Sequence, residues 1–449
     1  MRRRWIYTGF CLTVLLALFL NWMVNMPPAT LPAAVSSVLI TALFALLGIR
    51  FIPQWMEGWS GSYEAMEARG DKPSTIFLRL FTALILTRLA VIGLSYILDC
   101  VLSGGGNFVN KLYSIWTSGD GAHYLDIAER WYQSSGSRDE VVLLVFLPLY
   151  PILVRAVTFI FGNYFFSAML ISQLCFAFAG TLLYRLARLD MEHRDALRAV
   201  KYLVVLPSAF FFSAPMSDSL FLLLSLSCIY LARKKRYALS CVLGGLAAFT
   251  RSLGLSLLAP ICFELIADLI REIKCRGDVK RYLRCLPALL IIPSGFALYL
   301  YINYRVSGNP FQYAIYQREH WSQSLGYFWN TASYQIQYAL SSIESGELWR
   351  FFGLWLPNLV FIFGSLAVMA AAVGHIRPSY TAYFIAYYVV GMGVTWLLSG
   401  PRYLAALFPL SLAFSVVTKK RPADTLLTAA LSVGAVLYML AFVSRWQVF

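Results

Sequence analysis

The sequence has few charged side chains and few residues suited to binding a metal. Only 13% of its 449 residues are charged, and it has four histidines. None of its eight cysteines forms a CxxC pattern or a cysteine-histidine cluster with metal-ligand spacing. Although the net charge is +15, no DNA- or RNA-binding motif is present. These absences exclude a disulfide framework, a structural zinc and a nucleic-acid partner, and a chain with so few charges cannot cover a soluble core.

Apolar residues are abundant instead. They make up 59% of the chain, and the mean hydropathy is +0.66. A helix needs about 20 apolar residues to cross the hydrocarbon core of a bilayer. The sequence therefore predicts an all-α polytopic membrane protein with about 13 transmembrane helices. The predicted spans are 5–24, 33–52, 76–101, 165–185, 199–214, 217–232, 238–252, 254–270, 285–303, 353–373, 379–397, 402–418 and 424–443.

The distribution of basic residues predicts the orientation of these spans. With the N-terminus in the cytoplasm, 25 of the 37 lysines and arginines fall on the cytoplasmic side and ten on the other side. This bias is typical of short cytoplasmic loops. It requires that residues 141–161, which contain Pro148, Pro151 and Arg155, do not cross fully. We expect this segment to form a helix at the outer membrane interface.

Two predicted extracytoplasmic loops are long, residues 102–164 and 304–352. Loops of this length are usually functional or disordered, and the Trp and Tyr content of these two favours ordered interfacial helices. We divide the chain into two additional N-terminal helices with a cytoplasmic loop (1–75), a catalytic transmembrane core (76–418) and a C-terminal helix (419–449).

The first long loop contains a carboxylate beside a glycine-flanked turn. Asp120 precedes a segment with helical periodicity, and His123 follows one turn later. Asp120 is predicted to be either the N-cap of this helix or a general base at the membrane surface, and the two roles are compatible. His123 could share its site, and Tyr124 is a candidate substrate contact.

Three more polar residues fall at the ends of predicted spans on the same side. Asp218 follows a proline and lies either at a helix cap or in a polar site, and the high cost of an ionisable group at membrane depth favours a function. Arg251 and Arg402 stand alone at helix ends, Arg402 next to Tyr403. Each arginine either extends to the interface or binds a phosphate, for which its planar charged fork is suited.

The second long loop contains aromatic residues at helical spacing. Tyr313, Tyr316 and Gln317 predict an interfacial helix whose aromatic face either contacts a sugar ring or lies among lipid headgroups. Gln317 therefore joins the polar residues on the predicted outer face. Together they have the composition of a cavity with a carboxylate base and cationic phosphate ligands.

Six motifs in order resemble the glycosylphosphatidylinositol mannosyltransferase II (PIG-V) family and its bacterial relatives. They are GDGAHYLDIAERWY, FLPLYPILVR, LPSAFFFSAPMSDSLFLLLS, TRSLG, SGNPFQYAIYQREHW and SGPRYLAALFPL. The resemblance implies a multispanning glycosyltransferase of the GT-C class that uses a polyprenyl-phosphate sugar, usually mannose. It implies that Asp120 is the catalytic base. The residues predicted to bind substrate are His123, Tyr124, Asp218, Arg251, Gln317, Arg402 and Tyr403. Gly119 stands where the family commonly has Trp, which leaves the acceptor open.

The expected reaction is therefore the transfer of a sugar, with inversion, to a lipid or glycan acceptor at the extracytoplasmic face. The lipid-linked donor is a co-substrate, and no resident cofactor or metal is predicted, although a divalent ion between Asp120 and Asp218 is conceivable. Membrane lipids are the other expected partners. The absence of an N-x-[ST] sequon and of an ER-retrieval tail favours a bacterial plasma membrane over the ER.

Two other functions fit the same residues. A transporter or flippase of a lipid-linked sugar would also need cations in its cavity, but such proteins tend to have repeat symmetry, and no repeat is found here. A polysaccharide polymerase or ligase would differ in using a diphosphate-linked donor.

Overall fold

The apolar runs of the sequence form helices. The computed structural model describes residues 2–59, 73–133 and 141–448. In these residues the regular structure is helical apart from two isolated β-bridges, Leu325 with Val394 and Val373 with Ile376. The α-helices are α1 (Arg2–Asn25), α2 (Leu31–Trp59), α3 (Pro73–Ser103), α4 (Phe108–Trp116), α5 (Asp120–Arg130), α6 (Leu149–Phe161), α7 (Tyr164–Ala187), α8 (His193–Val205), α9 (Asp218–Arg233), α10 (Tyr237–Thr250), α11 (Leu258–Cys275), α12 (Val279–Leu283), α13 (Ile291–Ser307), α14 (Gln312–Trp321), α15 (Phe328–Glu344), α16 (Leu348–Arg350), α17 (Leu356–Ala372), α18 (Pro378–Gly391), α19 (Gly400–Ala405), α20 (Pro409–Val417) and α21 (Arg421–Val443). The predicted all-α polytopic fold is confirmed.

Eight helical segments among the described residues are long and apolar enough to cross a membrane, and a ninth is present if α8 and the following 3-10 helix, bent by 80°, count as one span. The predicted number of 13 is not confirmed. Proline and glycine interrupt the later runs, because proline removes a helical hydrogen bond and glycine favours helix ends. The run 379–397, for example, becomes α18, which ends at Gly391. The eight segments are Arg4–Asn25, Leu31–Trp59, Ile76–Ser103, Tyr164–Ala187, Ser252–Cys275, Val279–Ser307, Leu348–Ala372 and Arg421–Val443.

The centre of the bundle is formed by α7 and α9, which pack on each other. Two thirds of the residues in the apolar part of α7 are buried inside the protein, compared with 11% for α3, so α3 is much less enclosed by other helices. The N-terminal helix α2 packs on α15 and α17, and the Ser36 hydroxyl donates to the carbonyl of Ala332 on α15 at 2.8 Å. The Phe19 ring on α1 lies 5.8 Å from the Trp329 ring on α15, so both N-terminal helices are in contact with the predicted catalytic core.

Several short helices lie together at one end of the bundle, which we call the loop end. It comprises α4, α5, α6, α14 and the first turns of α9 and α19. The Arg155 guanidinium on α6 donates to the carbonyls of Ala128 and Glu129 at 2.7 Å each, where α5 ends. An arginine in this position satisfies terminal carbonyls and complements the helix dipole. The opposite end, where α7 and α9 finish and α18 starts, we call the basic end.

Candidate active site

Asp120 lies at the first turn of α5, and its carboxylate points to α19. Gly119 is the N-cap residue and makes no side-chain cap, so the prediction that Asp120 is the N-cap is wrong. Instead, one carboxylate oxygen, Oδ2, accepts a hydrogen bond from Arg402 Nη1 at 2.5 Å. Gly119 has a φ of +69°, a conformation that side chains with a Cβ disfavour. Glycine at this position therefore allows the turn that directs the Asp120 carboxylate towards Arg402.

The first turn of α5 is packed tightly against neighbouring backbone. A Cβ on Gly121 would lie 2.5 Å from the carbonyl oxygen of Trp116 and 3.1 Å from Pro215. One turn later, the hydroxyls of Tyr124 and Ser217 form a hydrogen bond of 2.9 Å. Burial raises the pKa of Tyr124 to about 12, so this phenol stays neutral at physiological pH. These contacts fix α5 relative to the segment that leads into α9.

Arg402 connects α5 to the centre of the bundle. Pro401 lies in the first turn of α19, where a missing backbone N–H costs nothing. The Gly400 N–H donates to Asn358 Oδ1 at 2.9 Å, and the Ser208 hydroxyl donates to the Pro401 carbonyl at 2.8 Å. With α19 held in this way, the buried guanidinium of Arg402 contacts two carboxylates, those of Asp120 and Asp218.

Asp218 is the first residue of α9 and is almost fully buried. Its Oδ2 accepts from Arg402 Nε at 2.9 Å, and its Oδ1 accepts from Arg251 Nη1. Arg251 follows the end of α10, and its guanidinium stacks 4.9 Å from the ring centre of Tyr403. Removal of either arginine would leave a buried carboxylate partly uncompensated, which is costly.

Four charged residues therefore alternate in sign and form one connected group, which we call the loop-end cluster: Asp120, Arg402, Asp218 and Arg251. The formal charge of the cluster is zero. The side chains of Asp218 and Arg402 are buried, that of Arg251 is 11% exposed, and that of Asp120 is 36% exposed. Among the described residues no donor reaches Asp120 Oδ1, and Arg251 has no acceptor besides Asp218. The cluster can thus offer both a carboxylate oxygen and arginine N–H groups to a ligand.

The remaining predicted substrate residues differ in how close they come to this cluster. Tyr403 contacts Arg251 directly, and Tyr124 reaches it through Ser217, the residue before Asp218. His123 packs on Phe146, with ring centres 5.1 Å apart. Among the described contacts none joins His123 to the charged residues.

Gln317 is on α14, which packs beside α5 through an apolar cluster that includes Tyr316. No described side-chain contact joins Gln317 to the loop-end cluster. The guanidinium of Arg402 lies between the carboxylates of Asp120 and Asp218, at the position where a divalent ion is conceivable from the sequence. The described residues contain no group of three or more His, Cys, Asp or Glu side chains placed to hold a metal ion.

Three residues near the cluster were not predicted. Ser217 bonds Tyr124, the Phe211 ring lies 5.5 Å from the Arg402 guanidinium, and the Tyr387 hydroxyl donates to the Tyr403 carbonyl at 2.9 Å. Ser217 directly precedes Asp218, which the sequence indicates as a site residue, so Ser217 could have been predicted from its position. Phe211 and Tyr387 lie in apolar runs, where nothing in the sequence distinguishes them from other packed aromatic residues.

One comparison with known proteins gives a match to part of the chain. A family model described as "Dolichyl-phosphate-mannose-protein mannosyltransferase" matches residues 147–299, which is about a third of the chain. The search of curated proteins finds no match. The family match supports a membrane glycosyltransferase. It does not single out the PIG-V family or the sugar.

Two solved structures resemble the fold distantly. ArnT from Cupriavidus metallidurans, bound to undecaprenyl phosphate, is 15% identical with a TM-score of 0.47, covering 80% of this chain and 63% of its own. The archaeal oligosaccharyltransferase AglB from Archaeoglobus fulgidus, in complex with an inhibitory peptide and a dolichol-phosphate, is 13% identical with a TM-score of 0.35, covering 80% and 56%. The chain thus spans less than two thirds of the length of these proteins.

Proposed function

We propose that this protein transfers a sugar, with mannose as the first candidate, from a polyprenyl-phosphate donor to a lipid or glycan acceptor, with inversion at the anomeric carbon. The observation that carries the proposal is the asymmetry of Asp120. One of its carboxylate oxygens is held by Arg402, while the other has no donor among the described residues. A base needs an oriented carboxylate with an accessible oxygen within reach of its proton.

Asp120 acts on the acceptor. Its free oxygen takes the proton of an acceptor hydroxyl while the hydroxyl oxygen attacks the anomeric carbon. The bond between that carbon and the phosphate oxygen breaks, and the polyprenyl phosphate leaves with the electron pair. Arg402 holds Asp120 in one orientation, so the carboxylate does not need to be ordered during the reaction.

Arg251 acts on the donor phosphate. Its guanidinium has N–H groups left over after Asp218 is bound, and it is held against the ring of Tyr403. Charge that develops on the leaving phosphate is stabilised more strongly beside a preorganised, largely buried cation than in water. Arg402 would contribute a second positive charge to the same oxygens.

The remaining features follow the resemblance to the PIG-V family. The loop end would be extracytoplasmic, the N-terminus cytoplasmic, and the membrane that of a bacterium. Residues 76–418 would form the catalytic core. His123 and Gln317 would contact the acceptor or the lipid as it enters, because both lie on helices next to the loop-end cluster without being joined to it.

The reaction can be tested directly. Purified protein in nanodiscs is given polyprenyl-phosphate mannose labelled in the sugar, together with a bacterial membrane lipid extract. We expect labelled product and free polyprenyl phosphate in equal amounts, and the anomeric configuration of the product should be inverted relative to the donor. Label that crosses vesicle membranes while still attached to its lipid would instead support a flippase.

The role of Arg251 predicts a defect in donor use. Arg251→Gln should raise the KM for the donor roughly 10- to 100-fold, the value of a hydrogen bond to a charged group. Arg305→Gln is the matched control, because Arg305 is exposed at the loop end and contacts only Tyr301 among the described side chains. Equal KM values in both variants would contradict the assignment of Arg251.

A further inference from the structure

One buried cation has no part in the proposed reaction. Arg88 is at the middle of α3, a helix of 31 residues, and it is only 1% exposed. A lone arginine in a span usually extends along its helix to the membrane boundary. The Arg88 side chain instead points into the bundle, where its guanidinium lies 4.4 Å from the ring centre of Phe176 on α7. A charged group at this depth is costly and is usually functional.

The charge of Arg88 is only partly compensated. Its Nη1 donates to the Ala209 carbonyl at 2.6 Å, whereas its Nε is buried without an acceptor. None of the described carboxylates forms an ion pair with it. An unpaired buried cation destabilises a fold, and an apolar residue of similar size is often neutral or better for stability. Stability alone therefore does not account for an arginine at this position.

Arg88 holds a short segment that follows a break in the helix α8. Ala209 belongs to the 3-10 helix Pro207–Ser213, which is bent by 80° from α8 and which we call the bent segment. Arg88 reaches this segment directly at the Ala209 carbonyl. It also reaches the segment through Phe176, whose ring centre lies 5.1 Å from that of Phe212. Where a helix breaks at membrane depth, its carbonyls need donors from other parts of the protein, and Arg88 supplies one.

The bent segment also contacts α19. The Ser208 hydroxyl donates to the Pro401 carbonyl at 2.8 Å, and the ring centre of Phe211 lies 5.5 Å from the Arg402 guanidinium. Ser208 is the neighbour of the residue that Arg88 binds. One short segment thus connects the buried cation of α3 to the guanidinium that holds the proposed base.

We propose that Arg88 is a positioning residue for Arg402. It fixes the bent segment, and the bent segment sets how the Arg402 guanidinium meets the carboxylates of Asp120 and Asp218. The inference rests on the proposed function, in which Arg402 orients the base. Because a displacement of about 1 Å can lower a rate about 100-fold, a residue that does not touch the substrate can still control the rate. The loss should appear in kcat, whereas the donor KM depends on Arg251 and should change little.

The test variant is Arg88→Met, which keeps an unbranched side chain and removes the charge and the donors. Its unfolding temperature should not fall, because an unpaired buried charge is lost. Hydrogen exchange of the full chain in nanodiscs, followed by mass spectrometry, should become roughly tenfold faster in peptides from residues 207–213 and 399–405, since a hydrogen bond to a charged group is missing. Exchange in residues 378–391 should stay as in the wild type.

Transfer gives the second measurement. In Arg88→Met the kcat should fall roughly 10- to 100-fold with the donor KM nearly unchanged. Arg88→Lys keeps a charged donor for the Ala209 carbonyl and should recover part of the rate. The matched control is Arg79→Met, which removes an exposed arginine from the same helix and should change neither exchange nor transfer.

Several results would overturn the positioning role. Faster exchange throughout the chain, with a lower unfolding temperature, would make Arg88 a general structural residue. Unchanged exchange in both peptides, or an unchanged kcat, would show that Arg88 does not position Arg402. A higher donor KM at unchanged kcat would assign its charge to the donor phosphate. If the wild type transfers no sugar, the proposed function fails, and the exchange of the two peptides still decides whether Arg88 holds the bent segment and α19.

Discussion

The molecule contains two clusters, each of two arginines and two carboxylates, one at each end of α9. The loop-end cluster includes Asp218, the first residue of this helix, and the second cluster includes Arg233, its last residue. With 16 residues, α9 separates them by about 24 Å. We call the second group the basic-end cluster, and it consists of Asp190, Arg233, Glu264 and Arg377.

The two clusters differ in how completely their carboxylates are bound. In the basic-end cluster Glu264 accepts two hydrogen bonds from Arg377, at 2.6 and 2.8 Å, and one from the Ser379 hydroxyl. Asp190 likewise accepts two from Arg233, at 2.5 and 2.7 Å. In the loop-end cluster Asp120 accepts one, from Arg402.

This difference separates a structural role from a catalytic one. Each bidentate arginine-carboxylate pair binds both carboxylate oxygens, so the basic-end cluster ties α9, α11, the segment after α7 and the start of α18 together and leaves neither carboxylate with an oxygen lacking a donor. The loop-end cluster keeps one carboxylate oxygen and several arginine N–H groups unbound by described residues. Composition alone would not have distinguished the two.

Removing the central carboxylate of each cluster gives the largest expected effect. Asp218→Asn and Glu264→Gln each leave buried arginines uncompensated and should lower the free energy of unfolding by about 3–5 kcal/mol. Only Asp218→Asn should also lower the transfer rate of the protein that remains folded, because it releases Arg251 and Arg402. Unfolding in lipid-detergent micelles measures the loss of stability, and the transfer rate per folded molecule measures the loss of activity. Equal transfer rates in the two variants would contradict a catalytic role for the loop-end cluster and a purely structural role for the basic-end cluster.

A smaller effect is expected from glycines with positive φ near each cluster. Gly119 precedes Asp120, and Gly374, with a φ of +97°, lies shortly before Arg377. A Cβ on either would meet no described atom within 4 Å, so the cost of alanine is that of the backbone conformation, about 1–3 kcal/mol. We expect Gly119→Ala and Gly374→Ala to destabilise similarly, and only Gly119→Ala to reduce transfer. If Gly374→Ala reduced transfer equally, the turn at Gly119 would have no special role in aiming Asp120.

The smallest effect tests how the loop end is held. Tyr124→Phe removes a buried hydroxyl that bonds Ser217 and should cost about 0.5–1.5 kcal/mol of unfolding free energy. Tyr132→Phe, which loses a bond to the Phe146 carbonyl, should cost a similar amount. Transfer should fall severalfold only in Tyr124→Phe, because only Tyr124 is next to the segment that carries Asp218. Identical rates in the two variants would contradict a positioning role for Tyr124.

The fold could be predicted from the sequence where apolar runs are uninterrupted. The predicted spans 5–24, 76–101 and 165–185 agree with α1, α3 and α7 within a few residues. Hydropathy records only composition, however, and does not show where the helical hydrogen bonds stop. The run 402–418 therefore reads as one span although its chain forms α19 and, from Pro409 on, α20.

The members of the loop-end cluster could be named from the sequence, but their pairing could not. Asp218, Arg251 and Arg402 stood out as charged residues at the ends of apolar runs, where desolvation is costly, and Asp120 stood out as the carboxylate of a glycine-flanked turn. Which carboxylate meets which arginine depends on how α5, α9 and α19 approach one another, and this is set by packing. The same limit applies to His123 and Gln317, since predicting a helix does not determine which neighbours its side chains reach.

The proposed reaction depends on the Asp120 carboxylate acting as the general base. Replacing this carboxylate by the isosteric amide tests that role most directly. Asp120→Asn removes the proton acceptor and keeps the shape of the side chain, so the transfer rate should fall about 10²- to 10⁴-fold. Asp126→Asn is the control, because Asp126 is a half-exposed carboxylate on the same helix that pairs only with Arg130 among the described residues, at 3.7 Å. A normal rate for Asp126→Asn beside this loss agrees with a base at Asp120, whereas a wild-type rate for Asp120→Asn would contradict it.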